Sequence, residues 1–408
     1  METKELSIMG KRLQYTNLPN GLVLVSEDQV PAKKPSLPCY DVYIAGGRLA
    51  DDTHPGASMA FMASALTYAG NKYSELLKSA ALQIIVTDAF IHLRYTHYKS
   101  DGHGAKCLMQ ILESIMLEEA LPQIMKMELR PSSRMNDFWP WFYSRVTPAW
   151  HRMALDFQEE SRRVQMIDWS RVNEFRDRIF IPANMLVYAH GEDEHEDLAE
   201  ILSFLPVGKT DTIWKPEFPD AYPIEDEHLP KRIINGVTGS LFFMPLPKDR
   251  MLYFMACMVL KAIFDRDGHF TSVTKSKLDR RIKIAAYVQY WPLPLGFVLL
   301  EYPVERRDRL FSNVMTAGFD FLNYSQAEQI RMIHKNSLDV ILKFGEPQSL
   351  LRDGWLVERK IKDRIPENFR IEDYLYLAFE YLHESRIGRL DYITSEIETP
   401  SPFKGLEL

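Results

Sequence analysis

Histidines, cysteines and carboxylates are the side chains that could bind a metal ion or activate water, and their spacing in this sequence favours neither role. His92 and His97 stand five residues apart in a predicted β-strand, so they point to opposite faces and cannot bind one ion together. His97 and His103 flank a short turn, where a shared metal site would be accidental. No glycine-rich phosphate loop, nucleophile elbow or Cys/His pair occurs in the 408 residues.

Two charged stretches have simple structural interpretations. His190 and His195 lie in and beside the acidic run 191–197, which predicts the solvated first turn of a helix, where carboxylates suit the helix dipole. Five basic residues between Lys275 and Lys283 predict a solvated face. Contact with an anionic lipid head group or an acidic partner is the alternative for that face.

Composition excludes several functional classes. The net charge of −7 argues against a nucleic-acid-binding protein, which usually has a basic excess. Cys39, Cys107 and Cys257 are far apart and lack a C-x-x-C spacing, so we expect a reducing compartment, no disulfide framework and no zinc cluster. The apolar run 251–264 is too short to span a bilayer.

The first residues do not resemble a targeting signal. Residues 1–5 contain acids and no apolar run, which fits neither a secretory signal nor an Arg-rich mitochondrial presequence. Three alternatives stay open: there is no presequence, the chain begins after a removed one, or import uses an internal signal.

Good helix formers between Gly56 and Gly70 predict the helix around which the first half is organised. Met59, Met62, Ala63 and Leu66 follow a helical spacing, and we expect them to form one apolar packing face.

The order of predicted elements indicates a duplication. Each half runs from a strand to a helix, to a strand pair and to further helices, without clear identity between the halves. We therefore predict an α+β fold of two similar domains, each a mostly antiparallel sheet covered by helices. The expected boundaries are 1–208 for the first domain, 209–230 for a Pro-rich linker and 231–408 for the second domain.

Four short motifs in this order resemble the pitrilysin/mitochondrial processing peptidase family of zinc peptidases. They are Asn20-Gly21-Leu22-Val23, Ala45-Gly46-Gly47-Arg48, Pro55-Gly56-Ala57 with its helix, and Ile181-Pro182-Ala183-Asn184-Met185. The resemblance covers nearly the whole chain. It implies the duplicated α+β fold, and in active members a zinc site with an H-x-x-E-H motif on that helix.

The resemblance also implies that this zinc site is vacated. Met59 and Ala63 stand at the positions of the two histidines, and Met62 stands at the position of the general base. A thioether is a poor zinc ligand and a methyl group is none. The third ligand, a glutamate, would fall near residues 134–136, where no carboxylate lies; Glu128 and Asp137 are the nearest. We expect no catalytic residue, no metal and no cofactor.

The resemblance implies an arginine and a tyrosine in the second half that hold the substrate, and only the tyrosine is present. Tyr287 stands where the resemblance places the tyrosine. The arginine would fall near Val273, where the chain has no arginine. The stretch 265–272, where an α-type processing subunit has a glycine-rich loop, contains only Gly268. Residues 13–23 look most like the opening of the core protein 2 subgroup, a non-catalytic branch found in respiratory complex III.

That subgroup implies a set of partners and a location. The expected partners are a core protein 1-like subunit, cytochrome b, cytochrome c1 and the iron-sulfur protein. The expected location is the matrix side of the mitochondrial inner membrane, peripheral and without a transmembrane helix. The alternative is the inactive, α-type partner of a heterodimeric zinc processing peptidase.

An aromatic run is the main interface candidate. Trp139, Trp141, Phe142 and Tyr143 lie within six residues. They either pack on their own domain or anchor a partner, since Trp and Tyr are enriched in interface hot spots.

Overall fold

The structure is a computed structural model, and it describes about half of the chain. The described residues are 2–8, 11–27, 37–51, 54–99, 102–119, 121–123, 157–191, 195–208, 213–216, 232–233, 239–264, 283–289, 294–301, 347–358, 377–378, 380–381 and 388–393.

By its internal contacts the chain forms two compact units. The described residues of the first unit form seven strands and six α-helices: β1 (Thr3–Ile8), β2 (Lys11–Asn17), β3 (Val23–Glu27), β4 (Cys39–Ala45), α1 (Ala57–Lys72), β5 (Ala80–Val86), β6 (Phe90–His97), α2 (Gly104–Leu117), α3 (Phe157–Met166), α4 (Trp169–Ile179), β7 (Met185–His190), α5 (His195–Ser203) and, from much later in the chain, α7 (Pro347–Glu358). The linear domain boundaries stay a prediction.

The seven strands form one sheet in the order β1-β2-β3-β7-β4-β6-β5. Every neighbouring pair is antiparallel except β3 and β7, which are parallel. The second unit has a five-stranded sheet in the order β10-β11-β9-β12-β8, where only β12 and β8 are parallel. Its described elements are β8 (Arg232–Ile233), β9 (Gly239–Pro245), α6 (Arg250–Phe264), β10 (Lys283–Gln289), β11 (Leu295–Glu301) and β12 (Gly388–Ile393). The predicted α+β class with mostly antiparallel sheets is confirmed.

Helix α1 begins with a buried cap. Gly56 has a left-handed backbone with φ 96°, a conformation that favours glycine. The carboxylate of Asp51 accepts hydrogen bonds at 2.8 Å from the backbone amides of Gly56 and Ser58. Because the first amides of a helix have no partner within it, this carboxylate satisfies two of them.

The buried face of α1 differs from the predicted one. Phe61 is buried, and its ring packs against Phe175 and Phe180 at centroid distances of 5.9 and 5.4 Å. Leu66 is 39% exposed, and Met59 and Met62 are only half-buried at the edge of the core. The expected packing face was wrong because alanine and serine carry weak hydrophobic signals, yet their small size lets this side of α1 approach its neighbours closely.

One face of the first sheet makes the apolar core with α1, α2, α4 and α5. Alternate residues of β4 reach it, namely Tyr40, Val42 and Ile44. The residues between them, Asp41 and Tyr43, therefore point to the other face. This alternation places the buried carboxylate of Asp41 on the second face of the sheet, away from the apolar core.

Two motifs of the family resemblance have structural roles. Asn20 donates hydrogen bonds to the carbonyl oxygens of Leu202 (2.9 Å) and Leu205 (3.1 Å), which ties the β2–β3 turn to the end of α5. Asn184 accepts a hydrogen bond at 3.0 Å from the amide of Trp214.

Candidate functional site

The three vacated positions lie in the first half of α1. Met59, Met62 and Ala63 are half-buried, and the two methionines contact the edge of the apolar core. Nowhere in the 408 residues do two histidines stand four apart, so the sequence has no H-x-x-E-H motif. The donor set at these positions offers a metal ion two thioethers and no nitrogen or oxygen. Their assignment as former ligands and base stays a prediction.

Several predicted positions lie outside the described residues. They are the interface candidates Trp139, Trp141, Phe142 and Tyr143, the third-ligand region with Glu128 and Asp137, the setting at Val273, the glycine-poor stretch 265–272, and the basic cluster apart from Lys283. Tyr287 lies in β10, opposite Phe297 of β11. These assignments stay predictions.

The histidines of β6 behave as their spacing predicts. His92 and His97 lie on opposite faces of the strand. His97 is buried on the core side, with its Nδ1 at 3.2 Å from the Tyr95 hydroxyl. The two residues therefore cannot share a ligand.

The acidic run begins helix α5 as predicted, with Glu196 and Asp197 exposed in its first turn, but His195 is not solvated. His195 is 4% exposed at the start of α5, with its Nδ1 at 2.7 Å from Ser26 Oγ and its Nε2 at 2.8 Å from Thr16 Oγ1. Burial lowers the pKa of this imidazole. Because both ring nitrogens have hydroxyl partners, the imidazole can be buried, and it joins α5 to β2 and β3.

A charged cluster on the second face of the sheet was not predicted from the sequence. Asp41 of β4 is fully buried, and its carboxylate accepts hydrogen bonds from Arg94 Nε (2.6 Å) and Arg94 Nη2 (3.2 Å). The same carboxylate lies 2.6 Å from His92 Nε2 and 3.3 Å from His190 Nε2. On the outer side, Glu27 lies 3.6 Å from His190 Nδ1 and accepts a hydrogen bond from the Tyr188 hydroxyl at 3.0 Å.

Strand register brings these groups together. Asp41 pairs with Arg94 of β6 on one side and with Tyr188 of β7 on the other. His92 and His190 stand two residues along the same strands, hence on the same face. The sequence separations are 51 and 53 residues for the β6 partners, so no local pattern signals the cluster.

The cluster shifts the pKa values of its members strongly. Burial alone would raise the pKa of Asp41, but contacts with His190, His92 and Arg94 outweigh it and hold that pKa well below its usual range. Burial alone would lower the pKa of His190, but Asp41 and Glu27 raise it to about 9. The carboxylate of Asp41 and the imidazole of His190 therefore carry opposite charges at neutral pH.

Helix α7 covers this cluster. Gln348 Nε2 donates a hydrogen bond of 2.6 Å to the Tyr43 hydroxyl, and the Tyr43 ring stacks on His92 at 4.7 Å. The Arg352 guanidinium lies 4.6 Å from the centroid of Phe90 and 5.3 Å from that of Tyr43. Burial raises the pKa of Tyr43 further above its usual range, so its hydroxyl stays protonated.

The cluster's geometry suits a structural role. The carboxylate of Asp41 is surrounded by hydrogen-bond donors and holds three neighbouring strands in register. Within the described part of the chain, no group of three or more His, Cys, Asp or Glu residues is arranged to hold a metal ion. In the same residues, no helix combines the length and the apolar character needed to cross a bilayer.

Known structures identify this architecture, although no family model and no curated protein matches the sequence. An M16-like peptidase from Alicyclobacillus acidocaldarius is similar with a TM-score of 0.65 and 13% identity, over 97% of this chain and 98% of that one. The chain has the M16 peptidase fold.

Two further structures with this fold are informative. A chain of complex III2 from Candida albicans (Inz-5 bound) has a TM-score of 0.67 and 13% identity, over 94% of this chain and 96% of that one. The peptidase M16 inactive domain from Pseudomonas fluorescens has a TM-score of 0.61 and 12% identity, over 98% and 100%. At such identities the similarity establishes the fold alone.

Proposed function

We propose that this chain is a non-catalytic structural subunit with an M16 peptidase fold, and more specifically a core protein 2-type subunit of mitochondrial respiratory complex III. The observation that carries the proposal is the chemistry of α1. Where the resemblance requires two imidazoles and a carboxylate, the chain has Met59, Met62 and Ala63. A complex III chain among the similar structures supports the specific assignment.

In this proposal the chain pairs with a core protein 1-like subunit on the matrix side of the inner membrane. It contacts cytochrome b, cytochrome c1 and the iron-sulfur protein directly or through that partner. Its role is to provide a rigid surface that other subunits bind. The aromatic run with Trp139 and Trp141 is the candidate contact with a partner.

Affinity purification from mitochondrial membranes of the source organism tests the assignment. We expect cytochromes b and c1 to co-purify with the tagged chain in stoichiometric amounts. Trp141→Ala should reduce their recovery, whereas Trp169→Phe, in a helix of the first unit, should leave recovery unchanged. Recovery of only an H-x-x-E-H-bearing protein would instead establish the alternative.

That alternative, an inactive α-type partner of a heterodimeric zinc processing peptidase, is favoured by the similarity to an inactive M16 domain. Against it, the stretch 265–272 has a single glycine and no arginine stands at Val273. The two proposals therefore differ in the partner recovered.

Restoring the motif tests the vacated site itself. The triple variant Met59→His, Met62→Glu and Ala63→His rebuilds the three positions on α1. We expect no zinc-dependent hydrolysis of a peptide substrate, because the third carboxylate ligand is also missing. Zinc-dependent turnover by this variant, absent with Met59→Gln, Met62→Gln and Ala63→Gln, would show that the third ligand lies elsewhere.

A further inference from the structure

A basic cavity lies at the corner where α3 meets α4, beside the loop that leads into α1. Its volume is about 400 Å³. Small-molecule sites occupy roughly 300–1,000 Å³, so the cavity is large enough for a small ligand. It does not involve the vacated positions on α1 or the Asp41 cluster.

The cavity lining has an excess of positive charge. Arg162 and Arg163 come from the last turns of α3, and Arg171 comes from the first turn of α4. His54 also lines the cavity, and Asp168 is the single carboxylate among the described lining residues. Among the described lining residues, guanidinium groups outnumber carboxylates by three to one.

Carboxylates already cap the starts of the two helices beside the cavity, so we assign the binding role to side chains. Asp168 caps α4 by accepting a hydrogen bond of 3.0 Å from the amide of Ser170. Asp51 caps α1 in the same way. Arg171 also pairs with Glu174 outside the cavity at 2.7 Å, and Arg162 donates to Met166 Sδ at 3.3 Å.

Apolar surface lies directly beside these charges. Met166 is 70% exposed, and Ile167 and Pro55 complete the apolar part of the lining. An exposed thioether next to guanidinium groups suits a ligand with an anionic end and an apolar end. Planar guanidinium groups bind phosphate oxygens through paired hydrogen bonds, and several of them together suit a doubly charged anion.

We propose that this cavity binds a small organic phosphate, with Arg163 and Arg171 contacting the phosphate and Met166 contacting the apolar part. This inference goes beyond the proposed function and does not depend on it.

Calorimetric titration of the full chain at low salt tests the site, with phenyl phosphate as the probe. We expect one equivalent to bind, and Arg163→Gln or Arg171→Gln to weaken binding roughly tenfold, as expected for a charge-assisted hydrogen bond. Arg12→Gln is the matched control, because Arg12 is an exposed arginine of β2 and does not line the cavity. Equal weakening by Arg12→Gln would show diffuse attraction and overturn the proposal.

A gain-of-affinity variant keeps the test valid if an arginine variant folds poorly. Asp168→Asn removes the one negative charge among the described lining residues and keeps a good cap for α4, since Asn and Asp cap helices about equally well. We expect tighter binding of phenyl phosphate by several-fold. Unchanged or weaker binding by this variant would contradict the electrostatic argument.

Two further probes separate the parts of the ligand. Inorganic phosphate should bind more weakly than phenyl phosphate, and Met166→Gln should reduce that difference. Benzoate should bind more weakly than phenyl phosphate because it carries one charge. Benzoate binding as tightly, or no binding of phenyl phosphate at millimolar concentration, would overturn the assignment.

Discussion

The buried Asp41 cluster makes a quantitative prediction about the stability of the first unit. Asp41→Asn keeps the size of the side chain and removes its charge. The matched control is Glu75→Gln, because Glu75 accepts hydrogen bonds from Lys78 at 2.7 and 2.8 Å, similar to the shortest Asp41 contacts. The side chain of Asp41 is 0% exposed, whereas that of Glu75 is 83% exposed. Burial and the larger number of partners around Asp41 are therefore the two differences between the sites.

The expected magnitude follows from the surroundings of Asp41. Removing one member of a buried ion pair costs roughly 3–5 kcal/mol, because the remaining charge is left without compensation. The side chains of Arg94 and His190 are 46% and 30% exposed, so both regain some hydration and the lower end applies. We expect a loss of about 3 kcal/mol for Asp41→Asn and under about 1 kcal/mol for Glu75→Gln.

Hydrogen exchange measured by mass spectrometry is the suitable assay. The chain forms two compact units, so one global free energy of unfolding is not well defined. Amides of β4, β6 and β7 should exchange roughly a hundredfold faster in Asp41→Asn, since each 1.4 kcal/mol is a factor of ten. If the exchange rates of these amides in Asp41→Asn lie within about threefold of those in Glu75→Gln, the argument that the buried cluster stabilises the first unit is refuted.

Three further predictions concern the same unit. Because the pKa of His190 is raised from 6.5 to about 9, its contribution to the stability of the first unit is complete below pH 6.5 and is lost as the pH rises through 9. Hydrogen exchange of the β7 amides, corrected for the intrinsic exchange rate at each pH, should show a loss on the order of 3 kcal/mol. Asp41→Asn should reduce this loss without removing it, because Glu27 also raises the pKa of His190. In the hydrogen exchange of first-unit amides, Gly47→Ala should destabilise by more than about 2 kcal/mol, because the added Cβ overlaps backbone atoms. Gly70→Ala meets nothing within 4 Å inside α1 and should stabilise the same amides by about 0.5–1 kcal/mol. By the same measurement Phe61→Ala should cost about 3–5 kcal/mol and Leu66→Ala under about 1 kcal/mol, and the reverse order would restore the predicted face of α1.

Much of the fold could be predicted because its signals are local. The apolar runs of β4, β6, β10 and β11 predict strands at nearly the observed bounds, and the spacing in α2 predicts an amphipathic helix. Helix α7 was not predicted. Its buried residues Leu351, Trp355 and Leu356 have a helical spacing, but the stretch is short and contains Gly354, so its helical signal is weak.

The candidate site was harder to predict for two physical reasons. The identity of Met59, Met62 and Ala63 is a property of the sequence and could be interpreted directly, whereas the face that α1 buries depends on small residues with weak hydrophobic signals. Asp41 in a strand predicts only an outward-facing polar residue. Its partners lie on two other strands, and its cover comes from residues about 300 positions later, as the Tyr43–Gln348 hydrogen bond shows.

The position of Asp41 also suggests a use for a buried charged cluster, whose desolvation is unfavourable, in a structural subunit. Side chains alternate along β4, so a shift of one residue would move Asp41 to the apolar core and Tyr40 to the opposite face. A carboxylate without partners in that core would cost several kcal/mol, and His92, Arg94 and His190 would lose their counter-charge. The cluster thus penalises a one-residue slip of β4 against β6 and β7, and α7 packs over the observed register. The proposed role of this chain is to present rigid binding surfaces. For that role a single strand register matters, whereas the zinc chemistry that the family resemblance assigns to α1 does not.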